Sequence, residues 1–298
     1  VFDKALGCLQ SYSFKGKNMF NDDFGLRPLF WRAPTDNDYG NGMPFRCQAF
    51  KTSSREFNVK TDFDGESIVA EYTLASGNIF TVRYTLIEGG VLSVSSDFKG
   101  VKSDKPVDVP RIGFRMRLPA SADSFTYYGR GPEENYSDRF IGTLVGKYSS
   151  SAAKEYVRYV RPQECGHHTD CEYLALGGLA IRSERFEFNA LRCSVEDLDS
   201  EEAVHHDYQW EYKDPLSKND PAKAKNRLRR QTHINDYSQR DFIEVCVDYA
   251  QSGIGGYDSW GSRPDSDRCL WNDKDYSFRF AIVPVKAMSV EKSMRYDF

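Results

Sequence analysis

A large antiparallel β-sandwich with few short helices is the fold this sequence predicts, and three observations predict it. More than a dozen short runs alternate apolar and polar residues, the period of a strand with one buried face. Turn pairs containing glycine separate many of these runs at hairpin spacing. Aromatic residues make up 14% of the chain, large rings of the kind that fill the space between two sheets. At 298 residues an all-β chain can fold as one unit. The expectation is a single domain over residues 1–298 with a surface insertion around residues 203–239.

The strands follow in order. Residues 9–15 form a first run that ends in a turn at Gly16-Lys17. Residues 57–63 end at Asp64-Gly65, and Ile68, Ala70, Tyr72 and Leu74 alternate up to Ser76-Gly77; both are hairpin signals. Phe80, Val82, Tyr84 and Leu86 carry the pattern to Gly89-Gly90, and residues 91–98 follow. Ile112, Phe114, Met116 and Leu118 are set against Arg111, Arg115 and Arg117, so the arginine face is expected to look at water or at a partner domain. Further strands are expected at residues 125–128, 155–161, 172–176, 179–183, 185–189, 243–249 and 276–283. Tyr276, Phe278, Phe280 and Ile282 give the last a strongly apolar face.

Composition removes several function classes. The net charge of -4 and pI near 5.8 come from interspersed charges of both signs, which leave no electrostatic footprint for nucleic acid or an anionic membrane. No apolar run approaches the roughly 20 residues that span a bilayer, and residues 1–10 lack the basic-then-apolar pattern of a signal peptide. A soluble protein, cytoplasmic or periplasmic, is expected. The chain opens on Val1 in strand-like sequence, as an excised or processed piece of a longer protein would. Seven cysteines (Cys8, Cys47, Cys165, Cys171, Cys193, Cys246 and Cys269) include no CxxC pair, which fits neither a disulfide framework nor a zinc ribbon. Buried free thiols are expected. The polar segment 203–239 carries a basic cluster at Lys223, Lys225, Arg227, Arg229 and Arg230 and reads as an elaborated surface loop, with a helix from Pro221 onward. A phosphate or nucleic-acid patch is the sharper alternative there.

Residues 253–264, Gly-Ile-Gly-Gly-Tyr-Asp-Ser-Trp-Gly-Ser-Arg-Pro, form the stretch the chain is organised around. A strand feeds a glycine-rich loop whose Gly253, Gly255, Gly256, Gly261 and Pro264 shape a sharp turn, and Trp260 sits on it. Sugars pack C–H faces on aromatic rings while their hydroxyls bond to neighbours such as Asp258, so this pairing suits carbohydrate. The alternative is that Trp260 plugs the end of the sandwich. Residues 30–42 crowd Asp36, Asn37 and Asp38 after an aromatic pair; they suit an Asx-type turn network better than a cation loop, lacking the spaced acids of the latter. Residues 128–139 mix Glu133 and Glu134 with Arg130 and Arg139, a pattern of structural ion pairs more than of a catalytic carboxylate site. His167 and His168 are adjacent, so on a strand they face opposite ways and cannot share a metal without a bend. Glu164 could pair with one of them for acid-base work.

Four of these segments, residues 30–40, 129–139, 161–164 (Arg-Pro-Gln-Glu) and 253–261, stand in an order and spacing that resembles the C-terminal small-chain domain of family 2 β-galactosidases. The resemblance runs from about Leu6 to the end. It implies a supersandwich of about eighteen strands in two sheets, similar to the galactose mutarotase fold, as the last domain of a long chain or as a separate small subunit. It implies that Trp260 stands at the active-site mouth and stacks on the sugar, particularly on the aglycone side. It also implies that Gly40 begins a mobile loop, Asn41 to residue 45, that swings over substrate. The family's two catalytic glutamates come from a barrel domain, and its Mg and Na are bound mainly by other domains, so no cofactor is expected in this chain. The chain is then a non-catalytic part of a hydrolase of terminal β-D-galactosides, inactive alone, whose partners are the remaining domains or a large subunit and the substrate. A free-standing mutarotase-like epimerase using His167, His168 and Glu164, or a carbohydrate-binding module, is the alternative.

Overall fold

The computed structural model describes residues 1–21, 23–199, 233–258 and 260–285. The chain begins with two small ribbons, β1 (Phe2–Asp3) with β2 (Cys8–Leu9) and β3 (Ser13–Phe14) with β4 (Lys17–Asn18). The second is closed by Lys15 and Gly16, both at positive φ (49° and 78°), the backbone a two-residue hairpin turn needs; the turn is one residue earlier than the sequence suggests. After β5 (Arg27–Leu29) come three short helices, α1 (Asp36–Gly40), α2 (Met43–Arg46) and α3 (Gln48–Ser53). A meander follows: β6 (Val59–Phe63), β7 (Ser67–Thr73), β8 (Ile79–Ile87) and β9 (Val91–Lys99). The remaining elements are β10 (Asp108–Val109), β11 (Arg111–Pro119), β12 (Ser124–Gly131), β13 (Leu144–Ser151), β14 (His167–Leu176), β15 (Leu179–Leu191), α4 (Val195–Leu198), β16 (Phe242–Gln251), β17 (Leu270–Trp271) and β18 (Tyr276–Pro284). The expected all-β antiparallel class with few short helices is what the chain forms.

Twelve strands share one sheet, in the order β13-β12-β14-β15-β18-β9-β8-β7-β6 with a branch. The branch arises because β15 is long: Leu179 to Arg182 pair with β18, while Glu187 to Leu191 pair with β16. From β16 the branch runs through β11 to β5 and lies over the meander. Phe114 of β11 meets Phe80 of β8 at 5.8 Å and Phe280 of β18 at 5.4 Å between ring centres. The alternating apolar faces of the meander thus bury against a second layer, and β11 ends up covered on both sides.

That double cover overturns one expectation. Arg111 and Arg115 are buried, not on a face open to water or a partner. Arg111 pairs with Glu164 and Asp248 at 3.2 Å each, Arg115 with Glu196 at 2.7 Å and Arg117 with Glu244 at 3.0 Å. A strand buried on both faces gives its charges little access to water, so they are met by acids of the neighbouring strand β16 (Glu244, Asp248), of α4 (Glu196) and of the loop before β14 (Glu164). Residues 155–161 are not a strand either: Tyr156 stacks on Tyr237 at 3.6 Å and Glu155 binds His168, so its alternation is satisfied by side-chain packing instead of a ladder. Residues 179–183 and 185–189 belong to the single strand β15. The edge strand β13, with Gly146 and three serines, gave no alternation to read.

All seven cysteines are free thiols and six are buried, as expected. No helix among the described residues is long and apolar enough to cross a membrane. Most of the expected insertion, and with it the basic cluster at residues 223–230, lies outside the described residues. Phe114→Ala, which empties the junction of the two layers, is expected to lower the unfolding free energy by about 3–5 kcal/mol in urea titration, whereas exposed Leu86 replaced by Ala should change it by less than about 0.5 kcal/mol.

Candidate functional site

The loop that follows β16 is gripped at its foot. Arg32, only 2% exposed, donates to the carbonyls of Ser252 and Gly253, the latter at 2.9 Å. Its guanidinium is held in turn by both oxygens of Asp38, at 2.9 and 3.1 Å. Burial works against this charge and Asp38 outweighs it, leaving the arginine pKa above its ordinary value. Asp38 is in place because residues 35–38 form a capping box: the Thr35 side chain accepts from the Asp38 N–H, and the Asp38 side chain accepts from the Thr35 N–H. The crowded polar stretch after Trp31 is thus a capped helical turn that aims a carboxylate at an arginine. This is close to the expected turn network. Among the described residues no group of three His, Cys, Asp or Glu side chains is arranged to hold a metal ion.

Further out, the loop is braced from within. Ser262 Oγ accepts from the N–H groups of Gly256 and Tyr257 at 3.3 and 3.1 Å. Asp258 Oδ1 accepts from those of Trp260 and Ser262 at 2.9 and 3.0 Å, and these bonds hold its carboxyl below the usual carboxylate range. Asp258 therefore shapes the turn beneath Trp260. Trp260 itself is 85% exposed, which excludes the core-plug alternative. Gly40, at the end of α1, lies against this loop: a Cβ there would come within 2.5 Å of the Trp260 carbonyl oxygen and 2.7 Å of Gly261 Cα. The two residues singled out from separate motifs are therefore in backbone contact.

Residues 41–45 are shaped as well. Gly42 takes a left-handed conformation (φ 75°) and starts the helical turn α2. Arg46 donates to the Asn41 carbonyl at 2.8 Å and to its side-chain oxygen at 3.3 Å, and pairs with Asp108 at 2.8 Å. Asn41 is thus a tethered link between two helical turns. The motif at residues 128–139 makes the expected ion pairs, Arg130 with Asp170 at 2.8 Å and Arg139 with Glu134. It also supplies a residue that the sequence did not single out. Asp138 accepts from the N–H groups of Ile254 and Gly255 at 3.1 and 2.9 Å.

The histidines do not form an acid-base site with Glu164. His167 Nε2 is 2.9 Å from Glu187, and His168 Nε2 is 2.8 Å from Glu155, while Glu164 is engaged by Arg111, Asn189 and Gln251. All three are buried, so no substrate reaches them. His167 and Glu164 belong to a sealed polar cluster in which one arginine (Arg111) and His167 face three carboxyl groups (Glu164, Glu187 and Asp248), while His168 points the other way to Glu155 and Tyr127. Asp248 presses on Gly113, its register partner on β11, where any side chain would collide with it.

The family described as "Beta galactosidase small chain" matches residues 1–282. A β-galactosidase of Priestia megaterium is 31% identical over 301 residues, covering 96% of this chain and 25% of that protein. One from Halalkalibacterium halodurans is 27% identical, covering 95% and 26%. The chain thus spans about a quarter of the length of these curated relatives. Among solved structures, a galactose mutarotase related enzyme from Lactobacillus acidophilus aligns with a TM-score of 0.47 at 11% identity, covering 95% of this chain and 92% of that one.

The sealed cluster makes stability depend on pH. Burial, against the pull of Arg111 and His167, pushes the Asp248 carboxyl up to about 7. Burial opposes the charge on His167, but Glu187 and Asp248 together raise its pKa. Both groups bind their proton more tightly folded than unfolded, so their stabilisation is complete at acid pH. For Asp248 it is fully present below about 4 and lost as the pH rises through about 7. The melting temperature is therefore expected to fall between about pH 5 and 8, and Asp248→Asn should flatten that decline; an unchanged slope in the variant would refute the assignment.

Proposed function

The chain belongs to the beta galactosidase small-chain family, and on that premise we propose that it is the non-catalytic module of a glycoside hydrolase family 2 β-galactosidase. It completes the mouth of an active site whose chemistry lies in the rest of the enzyme. The observation that carries this is the combination of an 85% exposed tryptophan with a loop fixed at foot and tip by hydrogen bonds. Exposing so large a ring has no structural return. A preset loop spares the ordering cost of binding. Trp260 is then the aromatic platform for the aglycone side of a terminal β-D-galactoside, with Asp258, Gly40 and Asn41 forming the frame around it.

The carboxylates around Trp260 support a non-catalytic role. A retaining glycosidase needs two carboxyl groups about 5–5.5 Å apart, one of them able to carry a proton. Here Asp258 and Asp138 are taken by backbone N–H groups, Asp108 by Arg46 and Asp265 by the Tyr257 hydroxyl. The acid/base, the nucleophile and any Mg or Na come from the remaining domains or a large subunit, which are this chain's partners.

Two outcomes test this. The isolated chain should not hydrolyse p-nitrophenyl β-D-galactoside; turnover by a preparation proven free of host enzyme would overturn the non-catalytic role. In the intact enzyme, Trp260→Ala should leave the melting temperature nearly unchanged, since a surface ring contributes within about 0.5 kcal/mol. It should weaken substrate or acceptor binding by roughly tenfold or more, with Trp260→Phe or Tyr recovering part. An unaltered KM and inhibition constant would sink the platform.

A further inference from the structure

We propose that Asp138 is a positioning residue for Trp260: its carboxylate fills a nest of backbone N–H groups at the foot of the loop and fixes the pitch at which the ring is presented. This rests on the reading of Trp260 as a sugar platform. The carboxylate takes the Ile254 N–H on Oδ1 and the Gly255 N–H on Oδ2, a charge-assisted pair that neither amide gets from a strand. Gly255 is left-handed (φ 73°), which turns successive amides toward one concavity, the geometry that receives anions.

The loop is cut to fit this carboxylate. A Cβ on Gly253 would lie 2.7 Å from Asp138 Cγ and 2.9 Å from the Pro264 side chain, so only glycine leaves room. A Cβ on Gly255 would run into the Ser262 carbonyl oxygen. Asp138 is itself fixed: Tyr136 and Arg139 exchange backbone bonds of 3.0 and 2.9 Å around it. Arg268 donates to the Ser137 carbonyl at 3.1 Å, while the Arg268 carbonyl accepts the Gly253 N–H at 2.7 Å. The turn after β12 and the Trp260 loop are thus laced together, though 116 residues separate Asp138 from Ile254. The motif at residues 128–139 acquires a task beyond its own ion pairs.

The test is a double-mutant cycle in the intact β-galactosidase containing this chain, reading kcat, KM and melting temperature with p-nitrophenyl β-D-galactoside. Asp138→Ala should raise KM by roughly three- to tenfold, the scale of one or two lost hydrogen bonds, with kcat changed by less than about twofold. Asp138→Asn, which keeps one acceptor, should fall between, and it serves if the alanine variant folds poorly. If Asp138 acts through Trp260, KM of the double variant with Trp260→Ala should not exceed that of Trp260→Ala alone; additive effects, or an unchanged KM in Asp138→Ala beside a raised one in Trp260→Ala, overturn the proposal. Should Trp260→Ala leave KM unaltered, the platform fails on its own account. Amide exchange then decides the nest. Exchange at residues 254 and 255 should accelerate by roughly tenfold or more in Asp138→Ala, and unchanged exchange overturns the positioning role.

Discussion

The buried pair between Arg32 and Asp38 is the interaction on which the loop and its surroundings depend. Moving two charges out of water costs several kcal/mol per ion, and attraction alone returns that only with good geometry and further hydrogen bonds. Here the guanidinium meets both oxygens of Asp38 and two carbonyls at the point where β16 ends. Those carbonyls, at Ser252 and Gly253, would otherwise be buried acceptors without ladder partners, since the strand has finished. The arginine thus solves two problems at once. It neutralises a carboxylate planted by a helix cap, and it terminates a strand in a defined direction.

The same economy recurs through the interior. A forked sheet folded over its own meander buries its central strand on both faces, so polar groups on β11 cannot reach water. Arg111, Arg115 and Arg117 are answered by Glu164, Asp248, Glu196 and Glu244, delivered by the neighbouring strand β16, by α4 and by the loop before β14. Where acids outnumber cations, as around Asp248, one carboxyl keeps its proton near neutral pH. The interior is held by aromatic packing between layers and by charge pairs within them.

Much of the fold was legible because period-two alternation survives burial on one face. The meander from residue 59 to 99, and the strands β11, β16 and β18, were visible in their apolar residues. Alternation fails where both faces are buried or neither is: the arginines of β11 looked like a wet face because their acid partners, on β16, α4 and the loop before β14, lie far off in sequence, and β13 at the sheet edge has no apolar face to read. Of the site, Trp260 and the glycine pattern around it were visible as turn chemistry, and Gly40 only through the family resemblance. Asp138 and Arg32 were not. Each stands in a local motif that accounts for a charged residue there, and each acts on backbone groups more than a hundred positions away, a pairing that no local pattern encodes. A faint signal existed in the T-x-x-D spacing at Thr35 and Asp38, which marks a helix cap.

A loop held by charges and backbone amides differs physically from one held by an apolar plug. Apolar packing is tolerant of small shifts, because dispersion contacts fall off gradually and side chains repack. Hydrogen bonds to carboxylates weaken steeply with angle and distance, so a loop fixed by Asp138 at its foot, Asp258 at its tip and Arg32 behind has one pitch. Gly40 adds a hard stop from the opposite side, backbone against backbone. Such stiffness suits the platform role we propose for Trp260, in which the ring meets a ligand held mostly by another part of the protein. A stacking contact depends on the angle at which the ring is presented. On that proposal, rigid presentation on this side would let the remaining surface of the site be built independently, the condition under which one active site can be shared between separate folding units.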